Sequence, residues 1–176
     1  MKLKSILSTT LVASLLLSCG RTGKNDQTDF NGNWAFHIVE DTLNYHIDYS
    51  ATDFETDSWE NVRLPHTANI EPLVVNDQWQ GICWYHKTFD ISNFSKEKKY
   101  FIEFEGAMNV IDIWINDKHL KKDMGGYLPV AADITDYVKE KDNTIRVRLD
   151  NRDNPTTGPK PVSYTHLRAH ETKANL

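Results

Sequence analysis

Between Trp34 and Asp150 the hydrophobic periodicity is mostly two, and no stretch sustains helical spacing. This alternation restricts the chain to sheets that bury one face. In "KYFIEFE", Tyr100, Ile102 and Phe104 fall on one side while Lys99, Glu103 and Glu105 fall on the other. In "NVIDIWIND", Ile111, Ile113 and Ile115 alternate with Val110, Asp112 and Trp114; in "TIRVRLD", Ile145, Val147 and Leu149 alternate with Arg146, Arg148 and Asp150. Each reads as a half-buried strand. Further strands are expected at "NWAFHIV", "WENVRL" and "GICWYHKTFD", separated by the turn-forming "NDQ", "NDK" and "DMGG". Short strands without intervening helices predict an all-β antiparallel sandwich. Residues 42–58 are polar and weakly patterned and read as an irregular connection. The 176 residues suffice for one ordinary domain with a sizeable core.

The N-terminus stands apart from that domain. Lys2 and Lys4 precede a short apolar run, Ile6 to Leu17, that ends in "LLSCG". The run is too short to be a permanent membrane span, and it reads as a secretory signal covering residues 1–18. Leu16, Leu17, Ser18 and Cys19 resemble the bacterial lipobox, so Cys19 is expected to be acylated and to head the mature chain, with residues 19–29 as a polar tether. The alternative is a plain signal peptide with an incidental cysteine. Acylation of Cys19 leaves Cys83 alone, without an internal disulfide, and its apolar surroundings make it an inert buried thiol.

The formal charge is −5. Setting aside Lys2, Lys4, Arg168 and Lys173 with Glu171 leaves 16 basic and 24 acidic residues between Gly20 and Val162, or −8. An acidic body without a basic patch argues against nucleic acid as a partner. No phosphate-binding glycine loop, HExxH or CxxC occurs, and no cofactor is implied. Trp34, Trp59 and Trp84 lie in apolar strands and read as core. Trp114 is divided between a second packed layer and a surface covered by a neighbouring domain. Trp79, in the loop-like "VVNDQWQG", is open to a surface or binding role, because aromatic faces also stack on sugar rings. "LDNRDNPTTGPKP" is a turn-rich loop after a strand, whose carboxylates and amides either cap turns or accept from sugar hydroxyls.

"NGNWAF", "WENVRLPHT", "QGICWYHKTF", "FEGAMNVIDIWIND", "GGYLPVAADIT" and "NTIRVRLDNRDNP" resemble, in order, the N-terminal jelly-roll sugar-binding domain of glycoside hydrolase family 2, especially its β-galactosidase-like members. The resemblance covers residues 30–161. It implies a jelly-roll β-sandwich of the galactose-binding-domain type, and a parent enzyme that removes a terminal sugar with retention, using two glutamates of a later TIM barrel. Those glutamates lie beyond this chain, so the polypeptide as given is expected to be inactive. Its partners are a terminal β-linked sugar, a galactoside first, and the absent immunoglobulin-like and barrel domains of the same polypeptide. The resemblance places a sugar-binding aspartate at Asp153 and a second contact at Asn76. Asn151 and Asn154 would shape the Asp153 loop, with Asn151 and Trp79 also counted among the substrate-binding residues. The expected location is the envelope of a Gram-negative-type bacterium, through the Cys19 lipid.

The leading reading is therefore the sugar-binding fragment of a lipid-anchored exo-β-glycosidase. A stand-alone carbohydrate-binding lipoprotein and a non-binding structural sandwich are the alternatives. After Pro161 the sequence departs from the family pattern, and the closing strand of the jelly roll is expected to be missing. In "SYTHLRAHETKANL", a helix would put His166 and His170 on one face beside Glu171, as a zinc site requires. The string also resembles translated sequencing-adapter read-through. This reading is preferred, and makes residues 162–176 a non-native tail without a metal site.

Overall fold

The computed structural model describes residues 26–39, 55–68, 79–125 and 128–152, and the backbone of 166–174. The elements in chain order are β1 (Asp26–Asp29), β2 (Trp34–Ile38), β3 (Glu60–Val62), β4 (His66–Thr67), β5 (Ile82–Phe89) and β6 (Lys99–Gly106). They continue with β7 (Val110–Ile115), β8 (Lys118–Met124), β9 (Val130–Asp133), β10 (Asn143–Asp150) and β11 (His166–Ala174). One sheet runs β3-β2-β5-β10-β7-β8; the other runs β1-β11-β6-β9, with β4 also pairing β11. Every pairing is antiparallel.

Alternation decides which side chains meet between the sheets. Tyr85, Ile111, Ile113, Ile145 and Val147 from one sheet pack with Tyr100, Ile102, Phe104, Val130 and Ala132 from the other in a single buried cluster. Trp34 belongs to it too, and its indole N–H donates to the Phe30 carbonyl at 2.9 Å. Each fully buried aliphatic side chain contributes about 1.5–3 kcal/mol. Asn116 and Asp117, with φ of 46° and 66°, turn β7 into β8 in two residues. Asparagine and aspartate tolerate that left-handed backbone, which is why "NDK" works as a hairpin turn.

Trp84 is buried in a hydrophobic core, as expected, but in a cluster separate from the inter-sheet one, and the half-buried Trp59 packs against it. Trp84 is buried with Val39 and Ile82 on the opposite face of the six-stranded sheet, with Trp59 and Trp114 packed against them. The Trp84 and Trp114 rings lie 5.3 Å apart, so Trp114 belongs to a second packed layer. β11, within residues 162–176, pairs with β6 on one side and β1 on the other. Main-chain pairing is indifferent to side-chain type, and the register sets Glu171 opposite Ile102 and Lys173 opposite Tyr100. His166 and His170 lie on this strand, so the helical face on which the unpreferred zinc reading depended is not formed. Positions four apart on a strand are about 13 Å apart, which removes the premise of a shared zinc ion.

Asp26–Asp29, the last residues of the expected tether, form β1. Cys83 is buried, and burial pushes its thiol far above the ordinary value. Cys19 and residues 42–54 of the 42–58 connection lie outside the described residues.

Candidate functional site

One end of the sandwich gathers the starts of β5, β7 and β9 and the ends of β6, β8 and β10. The backbone knits this rim together. Asn109 N–H donates to the Asp150 carbonyl at 3.2 Å, Gly125 N–H to the Asn109 carbonyl at 3.0 Å, and Asn151 N–H to the Gly81 carbonyl at 3.1 Å.

Asn151 is the junction of the rim. Its side-chain oxygen accepts from Gly81 N–H at 2.7 Å, and its amide donates to the Trp79 carbonyl at 2.9 Å. Asn109 in turn donates to the Asn151 carbonyl at 3.5 Å. Asn151 is only 5% exposed. Both ends of its amide hold backbone, so it shapes the rim from beneath rather than presenting a free amide. Trp79 is half-buried, with part of its ring against the inter-sheet core.

Charge on the rim is tightly organised. Burial alone would raise the Asp150 pKa, but bonds from the Arg152 side chain and backbone, with the nearby Arg148 charge, hold it below the usual carboxylate value. Arg152 reaches Asp150 at 2.6 Å and Arg148 reaches it at 3.1 Å. Arg148 also approaches Asp112 at 3.3 Å, and Asp112 pairs with His119 at 3.2 Å. These carboxylates are engaged by cations of their own, so none resembles a poised general acid or base.

Beside this network lies a concavity of about 120 Å³ lined by Ala107, Asn109, Asp123, Met124, Leu128 and Val130 among others. Met124 and Leu128 are the exposed large hydrophobic side chains among the described residues. Pockets that hold a small ligand measure about 300–1,000 Å³, so this concavity is no complete site. Among the described residues no group of three or more His, Cys, Asp or Glu could hold a metal ion.

Trp79 and Asn151, from loops about seventy residues apart, are thus brought together. Asn76, Asp153 and Asn154 lie outside the described residues, and their chain neighbours Trp79 and Arg152 both stand on this rim. Sequence reasoning overlooked Gly81 and Asn109. The signals were there: a glycine between a loop tryptophan and the first strand residue, and an asparagine opening a strand in "GAMNV".

The profile described as Glycosyl hydrolases family 2, sugar binding domain, matches residues 27–157. The chain belongs to glycosyl hydrolase family 2. This family 2 chain is 33% identical over 139 residues to a β-galactosidase of Thermoanaerobacter pseudethanolicus, a match covering 77% of the chain and 18% of that protein. It is 29% identical over 160 residues to a β-glucuronidase of Formosa agariphila, covering 84% of the chain and 16% of the relative. The structure of Bacteroides uniformis β-glucuronidase superposes with a TM-score of 0.72 at 22% identity, over 85% of the chain and 18% of the enzyme; at that identity the likeness concerns the fold alone. The family 2 chain therefore spans less than one fifth of the length of these relatives.

Proposed function

We propose that this family 2 domain is the N-terminal sugar-binding part of a longer retaining exo-β-glycosidase of β-galactosidase type. In this reading Trp79 and Asn151, together with Asn76 and Asp153, contribute to one wall of the site for a terminal β-linked sugar. The observation that carries it is the family match across residues 27–157 in a chain that spans 18% of a β-galactosidase. The chemistry fits a binding role: the rim's carboxylates are held by arginines, and two catalytic carboxylates about 5–5.5 Å apart would have to come from elsewhere. Hydrogen bonds from Asp153 would place sugar hydroxyls and speed reaction only so far as they tighten in the transition state.

Relatives named β-glucuronidase make a uronide the competing sugar, and the choice between the two falls to residues outside this chain. The test is the uninterrupted coding sequence beyond codon 161. A barrel with two catalytic glutamates is expected; a stop codon would sink the reading. Membrane anchoring through Cys19 is part of the proposal. Cys19→Ser should release the protein from the membrane fraction, and retention there would refute the anchor.

A further inference from the structure

We propose that Gly81 is a positioning residue of the sugar-facing rim, acting through the indole of Trp79; this rests on the sugar-binding reading above. A Cβ at position 81 would lie 2.6 Å from Cζ2 of Trp79 and 3.1 Å from its Cε2 and Cη2. Carbon atoms in contact sit about 3.5–4.0 Å apart. A side chain at 81 and the indole in its present place therefore exclude one another. The backbone at Gly81 lies outside the left-handed region, so the requirement for glycine is one of space.

Hydrogen bonds resist the backbone shift of Gly81 that would relieve such a contact. Asn151 holds it at both ends, its side-chain oxygen taking the Gly81 N–H at 2.7 Å and its own N–H meeting the Gly81 carbonyl at 3.1 Å. The same asparagine holds the Trp79 carbonyl at 2.9 Å, which fixes the backbone from which the indole springs. Any bulk at 81 must displace the ring itself. A ring fixed before the ligand arrives loses little freedom on binding, and its face is what the C–H side of a pyranose packs against. Gly81 thus sets the ring's position without meeting the sugar.

The test uses this chain carrying 5-fluorotryptophan, whose five tryptophans give separate fluorine resonances. Trp79→Phe assigns the relevant one. Gly81→Ala should move the Trp79 resonance, leave that of Trp34 in place, and weaken the Trp79 response to methyl β-galactoside by about two- to tenfold. An unmoved Trp79 resonance overturns the proposal. An equal sugar response in the two proteins overturns it as well, while leaving the sugar-binding reading intact. Because this chain supplies one wall of the site, silence of all five indoles moves the comparison to the complete enzyme. There Gly81→Ala should raise KM for an aryl β-galactoside about two- to tenfold with kcat little changed. An unchanged KM overturns the proposal, and an unchanged KM in Trp79→Ala as well sinks the sugar-binding reading. A double change separates ring displacement from general damage. The loss of Tm caused by Gly81→Ala should vanish when Trp79 is alanine; its persistence would show that the indole contact is not the cause.

Discussion

Asn151 shows how much of the rim depends on single side chains. Its amide closes bonds to Gly81 and Trp79 in a buried setting, and alanine there would leave a buried N–H and a carbonyl without these partners. Asn151→Ala should cost about 1–3 kcal/mol of unfolding free energy, measured by urea denaturation. His66 and His86 make a pH prediction. Burial lowers the His66 pKa, with Glu60 opposing; burial and then Arg146 lower that of His86, with Asp117 opposing. When the folded pKa lies below the unfolded 6.5, the unfolded chain takes up its proton first as pH falls. Stability is then complete above that value and drains below it. The urea midpoint should fall between about pH 7.5 and about pH 5, and a His66→Gln, His86→Gln protein should show a flatter profile; equal slopes would count against both histidines. Cys83 was legible from its apolar setting. Gly81 was overlooked, because a glycine between a loop tryptophan and a strand marks the position without saying that the need for it comes from an indole two residues away.

At the scale of elements, β10 decides most. It lies between β5 and β7, and its inward residues Ile145, Val147 and Leu149 are wholly buried. Ile145→Ala should cost about 2–5 kcal/mol, whereas Lys122→Ala on the edge strand β8 should stay within about 0.5 kcal/mol; paired denaturation curves would check both. The contrast also explains what the sequence revealed. Strands with one buried face announce themselves by alternation, as β6, β7 and β10 do. The β8 segment "KHLKKDM" carries three lysines, the usual guard of an exposed edge, and such a strand hides its pattern. β4 is two residues long and β9 four, too short for any period to register. Trp84 was legible as core but not as to which face, because residues 82–85 of β5 are buried on both sides of the sheet and a continuous apolar run cannot say which side meets the other sheet.

On the scale of the whole molecule, the sandwich and its family were plain from the sequence, while half of the candidate site was not. Asn76 and Asp153 were reached only through the resemblance, since turn chemistry explains an aspartate in "NRDNP" equally well. In the complete enzyme, Asp153→Ala should lower kcat/KM by about 2–4 kcal/mol, the worth of a charge-assisted bond that tightens in the transition state. An unchanged kcat/KM on an aryl β-galactoside would refute that role. The chain itself should release no phenol from the same substrate above the buffer rate, and turnover would overturn the domain reading.

The order of strands in the six-stranded sheet also has a meaning in time. β5 and β7 each wait for β10, which is made after both. A ribosome adds about 5–20 residues per second, so the edge of β5, whose first four residues are buried on both faces in the finished fold, stands open for several seconds while residues 90–142 are made. Until β10 arrives, that edge is available to any other strand. The strand that completes the sheet is thus also its timer, and chaperones that shield nascent chains should engage this domain most strongly in the interval before residue 143 is made.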